Sequence, residues 1–561
     1  MTPLDFRSWI TLILFLFAAA FVNAPQAFCI PWTKGKYRFI LNLVTAPVLA
    51  VILGLATTAI SPAELWRGIA GSDGIEPYSI LILLLSLSYV CISLDLTGGL
   101  AMTSLWFTTL AGRRGRLFYT VIFFTSLFYA TITNNDVAIL TLTPVTIYFA
   151  KAMRLPPYAM LLGEFIASNT ASMILFTGNL TNIVVAQAYG LNFAQYAAWM
   201  ILPALGSAVC SWMVLMIQYR KDIPKAVDPP VVRPRSALKE PWFALTGLFL
   251  VAGTIIALAV SSFYHISVWM VSLPFAVVGL IIDLIRDTRI WQRRRRGEVV
   301  EVKRGGEMVI DEREEEEEEE KEELSPQGMD SQPSLSTLTT CSQGSSPKEE
   351  ERGVEEAELS SSSSPPPPPD PPREPNIFTR FLLRIWGMIS PKIPITSQVL
   401  VQLPYAVFPF SFGMFILVEG LSAHGWTVRL AKVLVYCCPN PTVAAFTVGF
   451  ISSLACIPFN NVPMTILFAR ALLSEQFTAN TTESTHKASL FALAIGSNLG
   501  ANLTIFASLA GVMWATLSQA KGVQFTGWRF FQACLWSFPL SVGAACAILA
   551  AEVAVMEKQG G

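Results

Sequence analysis

Histidine is nearly absent from this chain: three residues in 561, at 265, 424 and 486, each near the end of an apolar segment. There is no HExxH run, and no histidine stands at a depth where it could activate a buried nucleophile, which argues against an intramembrane hydrolase. Cysteine is sparse and scattered, nine residues with no CxxC pair and no zinc spacing. Cys437 and Cys438 are neighbours, a spacing that rarely makes a relaxed disulfide. Cys29, Cys91, Cys210, Cys456, Cys534 and Cys546 lie in or near apolar runs and read as small buried hydrophobes. No nucleotide-binding motif and no other cofactor signature is present, so ATP dependence would need a separate ATPase subunit. Charge is scarce too, at 14% of residues, well below the roughly 25% of soluble domains.

What is abundant is apolar sequence. Hydrophobic residues make up 53% of the chain, and several runs reach the roughly 20 residues that cross a bilayer. The chain is therefore expected to be an all-α polytopic membrane protein with the lipid bilayer as its solvent. Residues 9–22 resemble a signal peptide, with Val22-Asn23-Ala24 as a loose cleavage site, but Pro25 and more apolar sequence follow. Residues 9–30 are read as a retained first helix. Further crossings are expected at 37–60, 78–97, 195–219, 241–262, 267–285, 396–418 and 527–551, with 99–111 along the membrane surface.

The basic clusters set the sides. Arg113, Arg114 and Arg116 precede residues 117–150, and Lys151 and Arg154 follow them. Both ends of that segment then belong on the cytoplasmic side, which a re-entrant hairpin with Asn134-Asn135-Asp136 at its tip satisfies; two short spanning helices would satisfy the charges too, but would place the triplet in an outer loop. Residues 441–473 form a second hairpin, entering from the opposite face, with Asn460-Asn461 at its tip. With broken helices at 157–190 and 487–517, the count is ten full crossings plus two hairpins, both termini outside. Residues 290–376 hold the acidic run Glu314–Glu320, a serine run and Pro365–Pro369. That composition reads as a disordered cytoplasmic linker between an N-terminal membrane half, 1–289, and a C-terminal one, 377–561. The membrane part is basic without the linker, which reflects loop orientation and not nucleic-acid binding.

The stretch that carries chemistry is Ile166–Ala186, IASNTASMILFTGNLTNIVVA. Ser168, Asn169, Thr170, Gly178, Asn179, Thr181 and Asn182 interrupt an apolar segment, as in a helix broken around a ligand or ion. The alternative is a continuous helix whose polar groups bond its neighbours. Residues 495–510, IGSNLGANLTIFASLA, repeat the pattern with Ser497, Asn498, Gly500, Asn502 and Thr504. Ser168-Asn169 recurs as Ser497-Asn498, Asn134-Asn135 as Asn460-Asn461 and Asp95 as Glu419, at offsets of 329, 326 and 324 residues in turn. An ordered internal repeat of this kind points to two inverted-topology halves.

Asp136 is the acid singled out: it could bind a proton or sodium, position a solute, or cap the second hairpin arm. Asn134, Asn135, Asn460 and Asn461 offer amide donors and carbonyl acceptors for a hydroxylated metalloid, an oxyanion or a cation, or serve as caps. Glu164 is read as facing a polar neighbour near the membrane surface, and Asp95 and Glu419 as solvated or scaffold groups at segment ends. No metal-ligand cluster is indicated.

Several stretches resemble the arsenical pump membrane protein family, the ArsB-type exporters of the ion-transporter superfamily. They are RGRLFYT at 114–120, Asn135-Asp136 before ILTLTP, NLTNIV at 179–184, YRKDIP at 219–224, SFGMFILVEGL at 411–421, FNNVP at 459–463 and LGANLTIFASLAGVMW at 499–514. The family typically carries Asp where this chain has Asn498, a Pro-Lys pair at Ala501-Asn502, and an Asp near Asn169. The resemblance implies a secondary transporter, not an enzyme, exporting arsenite or antimonite in exchange for protons. An organic or inorganic anion carried with protons or sodium is the alternative, and a receptor or scaffold signalling through the linker is a second. The plasma or vacuolar membrane would be its location, and a homodimer is one assembly open to it.

Overall fold

The structure is a computed structural model that describes residues 4–29, 38–72, 74–228, 233–264, 266–296, 384 and 386–560. The chain divides into two units, residues 1–308 with 390–561, and residues 309–389. Most of the expected linker lies outside the described residues, as does His265.

The first unit is helical. It runs α1 (Phe6–Asn23), α2 (Thr45–Ala56), α3 (Pro62–Ala70), α4 (Pro77–Leu96), α5 (Gly99–Ala111), α6 (Gly115–Ile132), α7 (Asn135–Ala152), α8 (Pro157–Ser172), α9 (Leu180–Ala188), α10 (Phe193–Gln218), α11 (Pro241–Ser261) and α12 (Val268–Arg295). It continues with α13 (Pro394–Gln402), α14 (Val407–Ala423), α15 (Trp426–Cys437), α16 (Pro441–Phe459), α17 (Asn461–Leu473), α18 (Glu475–Thr478), α19 (Glu483–Leu499), α20 (Leu509–Ala520), α21 (Gly527–Cys534) and α22 (Ser537–Gly560).

Among the described residues, nine stretches are long and apolar enough to cross a membrane: α1, α4, α6, α10, α11, α12, the run Pro394–Ala423, α16 and α22. The sequence count of ten differs in identifiable places. Residues 37–60 do not make a span. Their first part, Arg38–Leu41, pairs antiparallel with Gln26–Cys29 in a small β-hairpin, and only the 12-residue α2 follows. The arms of both broken helices are individually too short to span, whereas α6 and α16 are long enough alone. Outward faces of α10, α11 and α12 expose Leu202, Leu205, Ile256, Val277 and Ile281, as a lipid-facing surface requires.

Local chemistry sets the helix ends. Ser61 and Glu64 form a capping box at α3, and Asn192 and Gln195 form one at α10. Asp287, buried on α12, accepts hydrogen bonds from the backbone N–H groups of Ile395 (2.6 Å) and Thr396 (3.1 Å). It thereby fixes the start of α13 against the end of α12. Two charge clusters stiffen the bundle. In one, Arg286 bonds Asp283 and Glu240, while Tyr89 and Ser93 also donate to Asp283. In the other, Glu419 accepts from Arg67, Arg470 and Ser72 and so ties α14 to α3 and α17. Helices α16 and α19 approach most closely through small residues. A Cβ on Gly496 would lie 1.9 Å from Ser452 Oγ, and one on Gly500 would lie 2.7 Å from the Ser453 carbonyl.

Candidate functional site: a cavity at four helix N-termini

Four helices begin at one small cavity. Helix α6 stops at Ile132 and α7 restarts at Asn135, with extended Asn134 as N-cap accepting from the Val137 N–H at 2.8 Å. Helix α8 stops at Ser172, a 3-10 turn covers Phe176–Gly178, and α9 starts after its cap Asn179. In the second half, α16 ends at Phe459 and α17 starts after Asn460. Likewise α19 ends at Leu499, a 3-10 turn covers Ile505–Ala507, and α20 starts after Ser508, which accepts from the Gly511 N–H at 3.1 Å. Asn and Ser at these positions break the helices where their side chains satisfy the first free N–H groups.

The cavity between these ends has a volume of about 30 Å³. Its polar wall is Asn134, Asn135, Asp136, Asn179, Asn461 and Ser508, together with Gly178, and its apolar wall includes Leu84, Val407, Phe410 and Val462. Asp136 is the ionisable side chain in that wall, and no cysteine lines it. Asn134 Nδ2 is buried without a hydrogen-bond partner among the described residues, a donor left over by the fold. Gly178 is required by a close approach, since a Cβ there would lie 2.1 Å from the Ser172 carbonyl. Each N-terminus contributes roughly half a positive charge, so the four together favour an oxygen-rich solute.

Other residues expected at the site stand behind the cavity and bond one another across the two halves. Asn135 Nδ2 donates to Asn169 Oδ1 (3.2 Å), and Asn169 Nδ2 donates to Asn502 Oδ1 (3.0 Å). Asn498 Oδ1 accepts from Ser172 Oγ (2.9 Å) and Asn179 Nδ2 (3.0 Å). Its Nδ2 donates to Asn182 Oδ1 (2.6 Å) and to the Ala494 carbonyl (2.8 Å). Ser497 donates to Thr181 at 3.1 Å. Asn182 also donates to the Ser172 and Leu175 carbonyls, which holds the helix break open. Ser168 and Thr170 are fully buried, and their hydroxyls lack partners among the described residues. Gly500 serves the close packing on α16, and Thr504 precedes the second 3-10 turn.

Asn460 sits apart from its counterpart Asn134. Its backbone has φ +65° and ψ 153°, a region that glycine alone occupies easily. Its Nδ2 donates to the Phe506 carbonyl at 3.0 Å. Asn23, at the end of α1, donates to the carbonyls of Ile457 (3.1 Å) and Pro458 (2.7 Å) beside the same tip. Sequence reading missed Ser508 and Asn23. Ser508 stands 329 residues after Asn179, the offset that relates the Ser-Asn pairs, and that spacing could have found it.

The halves also exchange partners: α7 packs on α20, and α9 packs on α17. Phe165 of α8 meets Trp514 of α20 with ring centroids 5.1 Å apart.

Known proteins resemble this chain in sequence and in fold. Residues 28–297 match the family described as "Citrate transporter" and residues 379–542 match "Arsenical pump membrane protein". An "Arsenical pump membrane protein" of Escherichia coli is 23% identical over 448 residues, covering 79% of each chain. That of Escherichia coli strain K12 is 29% identical over 214 residues, covering 37% of this chain and 48% of its own, so the match spans about half that relative's length. Among solved structures, the Alcanivorax borkumensis YdaH transporter has the same kind of fold, with a TM-score of 0.50 over 98% of both chains at 12% identity. On these matches the chain is similar to the arsenical pump membrane proteins along most of its length, and to the citrate transporter family in its first half.

Proposed function

We propose that this protein is a secondary active transporter that exports trivalent arsenic or antimony as the neutral hydroxide, in exchange for protons. The reading rests chiefly on the convergence of four helix N-termini and both Asn-rich tips on one cavity. Amide N–H groups and helix ends meet the oxygens of such a solute, and the Asp136 carboxyl accepts from its hydroxyls. With no thiol in the wall, arsenic is held through its hydroxyl groups and not through As–S bonds, which keeps binding weak enough for release.

In this reading the two halves are inverted copies. The α6–α7 and α16–α17 pairs are re-entrant hairpins from opposite faces, and α8–α9 and α19–α20 are broken membrane helices. The basic loops and the linker lie in the cytoplasm. A second reading, an anion carried with protons or sodium, is favoured by the positive helix ends and by the citrate-transporter match in the first half.

Flux into liposomes separates the two readings. The purified protein should move arsenite and antimonite into vesicles with an acidic lumen, and neither citrate nor phosphate. Transport of an anion with no arsenite or antimonite flux would overturn the first reading.

A further inference from the structure

One buried acid is not used by this cavity. Glu164, on α8, has no solvent exposure, and its Oε1 accepts from Thr143 Oγ1 of α7 at 2.6 Å. Its Oε2 is buried without a hydrogen-bond partner among the described residues. Helices α6, α7, α10 and α19 pack around α8. Of these, α6 brings Tyr119 against neighbouring Gly163, with its hydroxyl also unpartnered, and α7 brings Thr143 and Thr146. Among the described residues, no charged side chain on any of these helices stands close enough to act on the carboxyl. A carboxylate sealed in this way, with threonine hydroxyls but no cation beside it, is expensive to keep.

Position gives the group a use. Glu164 lies five residues before Asn169 on the same helix, about 7.5 Å along its axis at 1.5 Å per residue. Its partner Thr143 is on α7, the helix whose first turn carries Asn135 and Asp136 into the cavity. Thr143 is followed by Pro144, which lacks an N–H and so interrupts the hydrogen-bond ladder of α7 at this point.

We propose that Glu164 is the proton-binding site of the transport cycle. While α7 lies closed on α8, the carboxyl holds one proton and is neutral. When α7 parts from α8, water enters, and the acid gives that proton to water and becomes a carboxylate. After solute leaves on one side, the carboxylate takes one proton from water there, and α7 closes on α8 for the solute-free return. On the other side that proton goes to water before solute binds, and the solute-loaded protein crosses with α7 parted from α8 and the carboxylate hydrated. Proton occupancy at Glu164 and the position of the Asn134–Asp136 tip are thereby one equilibrium.

The inference rests on the transport reading but not on the identity of the solute, and the test keeps the two apart. Infrared difference spectra of the purified full-length protein, taken between acidic and alkaline buffer, should contain a protonated-carboxyl C=O band that Glu164→Gln removes. This readout needs no solute, so it stands even if arsenite is not carried. For the solute that the liposome screen identifies, Glu164→Gln should keep exchange without a gradient and lose acceleration by a proton gradient. A spectrum identical to wild type, or undiminished proton-driven flux, overturns the proposal. So does a uniform loss of exchange and driven flux in a variant of wild-type thermal stability, which would mark a structural role. If Glu164→Gln does not fold, Thr143→Val is read instead. Loss of that hydrogen bond must shift the same band, and an unmoved band overturns the assignment.

Discussion

The backbone of Asn460 offers a test of how the second tip is held. At φ +65° and ψ 153° a residue with a Cβ is strained by about 1–3 kcal/mol, whereas glycine is not. Its side chain makes one good hydrogen bond, to the Phe506 carbonyl at 3.0 Å, and a long one from Val462 N–H at 3.4 Å. Within a membrane bundle such bonds are each worth about 0.6 kcal/mol on average. Asn460→Ala and Asn460→Gly both delete these bonds, so the difference between the two variants isolates the backbone term. Glycine should be the more stable by about 1–3 kcal/mol. Asn134, at φ −163° and ψ 171°, is the internal control, because extended backbone suits any residue. There alanine should equal glycine or exceed it by about 0.5–1 kcal/mol. Stability would be followed by denaturation in mixed detergent micelles, with all four variants in the same conditions. Equal midpoints for Asn460→Ala and Asn460→Gly would refute the strain argument.

Four other outcomes are expected. Asn498→Asp places an acceptor against Asn182 Oδ1 and the Ala494 carbonyl, where an amide now donates to both, and should lower stability by about 1–3 kcal/mol in the same denaturation assay. Asp136→Asn should weaken solute flux at unchanged thermal stability, whereas Asn461→Ala should weaken solute binding itself, both read in liposomes and by direct binding. Replacing residues 298–370 by a short Gly/Ser linker should preserve flux, because Asp287 already holds the start of α13 against α12. In a eukaryotic host the exposed sequon at Asn480 should acquire a glycan that Asn480→Gln removes, while those at Asn179 and Asn502 stay unmodified because both are buried.

Much of this arrangement was legible in the sequence, for a physical reason. Asn134, Asn135, Asp136, Asn179 and Asn461 stand out because polar residues at membrane depth are costly and demand an explanation. Ser508 does not stand out, since a lone serine inside FASLAG is unremarkable in any apolar helix. What separates wall from network was not legible. Asn179 and Asn182 look alike in NLTN, yet one lines the cavity and the other spends its amide on Ser172 and Leu175 carbonyls. The β-hairpin escaped notice because Gln26–Cys29 and Arg38–Leu41 sit at the ends of apolar runs that read as helix. The Asp287 contact with Ile395 and Thr396 joins residues more than a hundred positions apart, and a single sequence does not encode such pairings visibly.

The small-residue seam between α16 and α19 limits what can move. With Gly449, Ser452 and Ser453 against Gly496 and Gly500, there is no side-chain cushion between the backbones, and sliding either helix by a fraction of a turn would drive Ser452 into Gly496. These two helices travel as one lever. One of them ends at Asn460 and the other carries Asn498, so the second tip and the hub of the amide network cannot be displaced independently. On the second-half side of the cavity, movement is then a separation of α17 and α20 from this lever. The distance between α16 and α17, followed by paired spin labels, is the coordinate along which such opening would be visible.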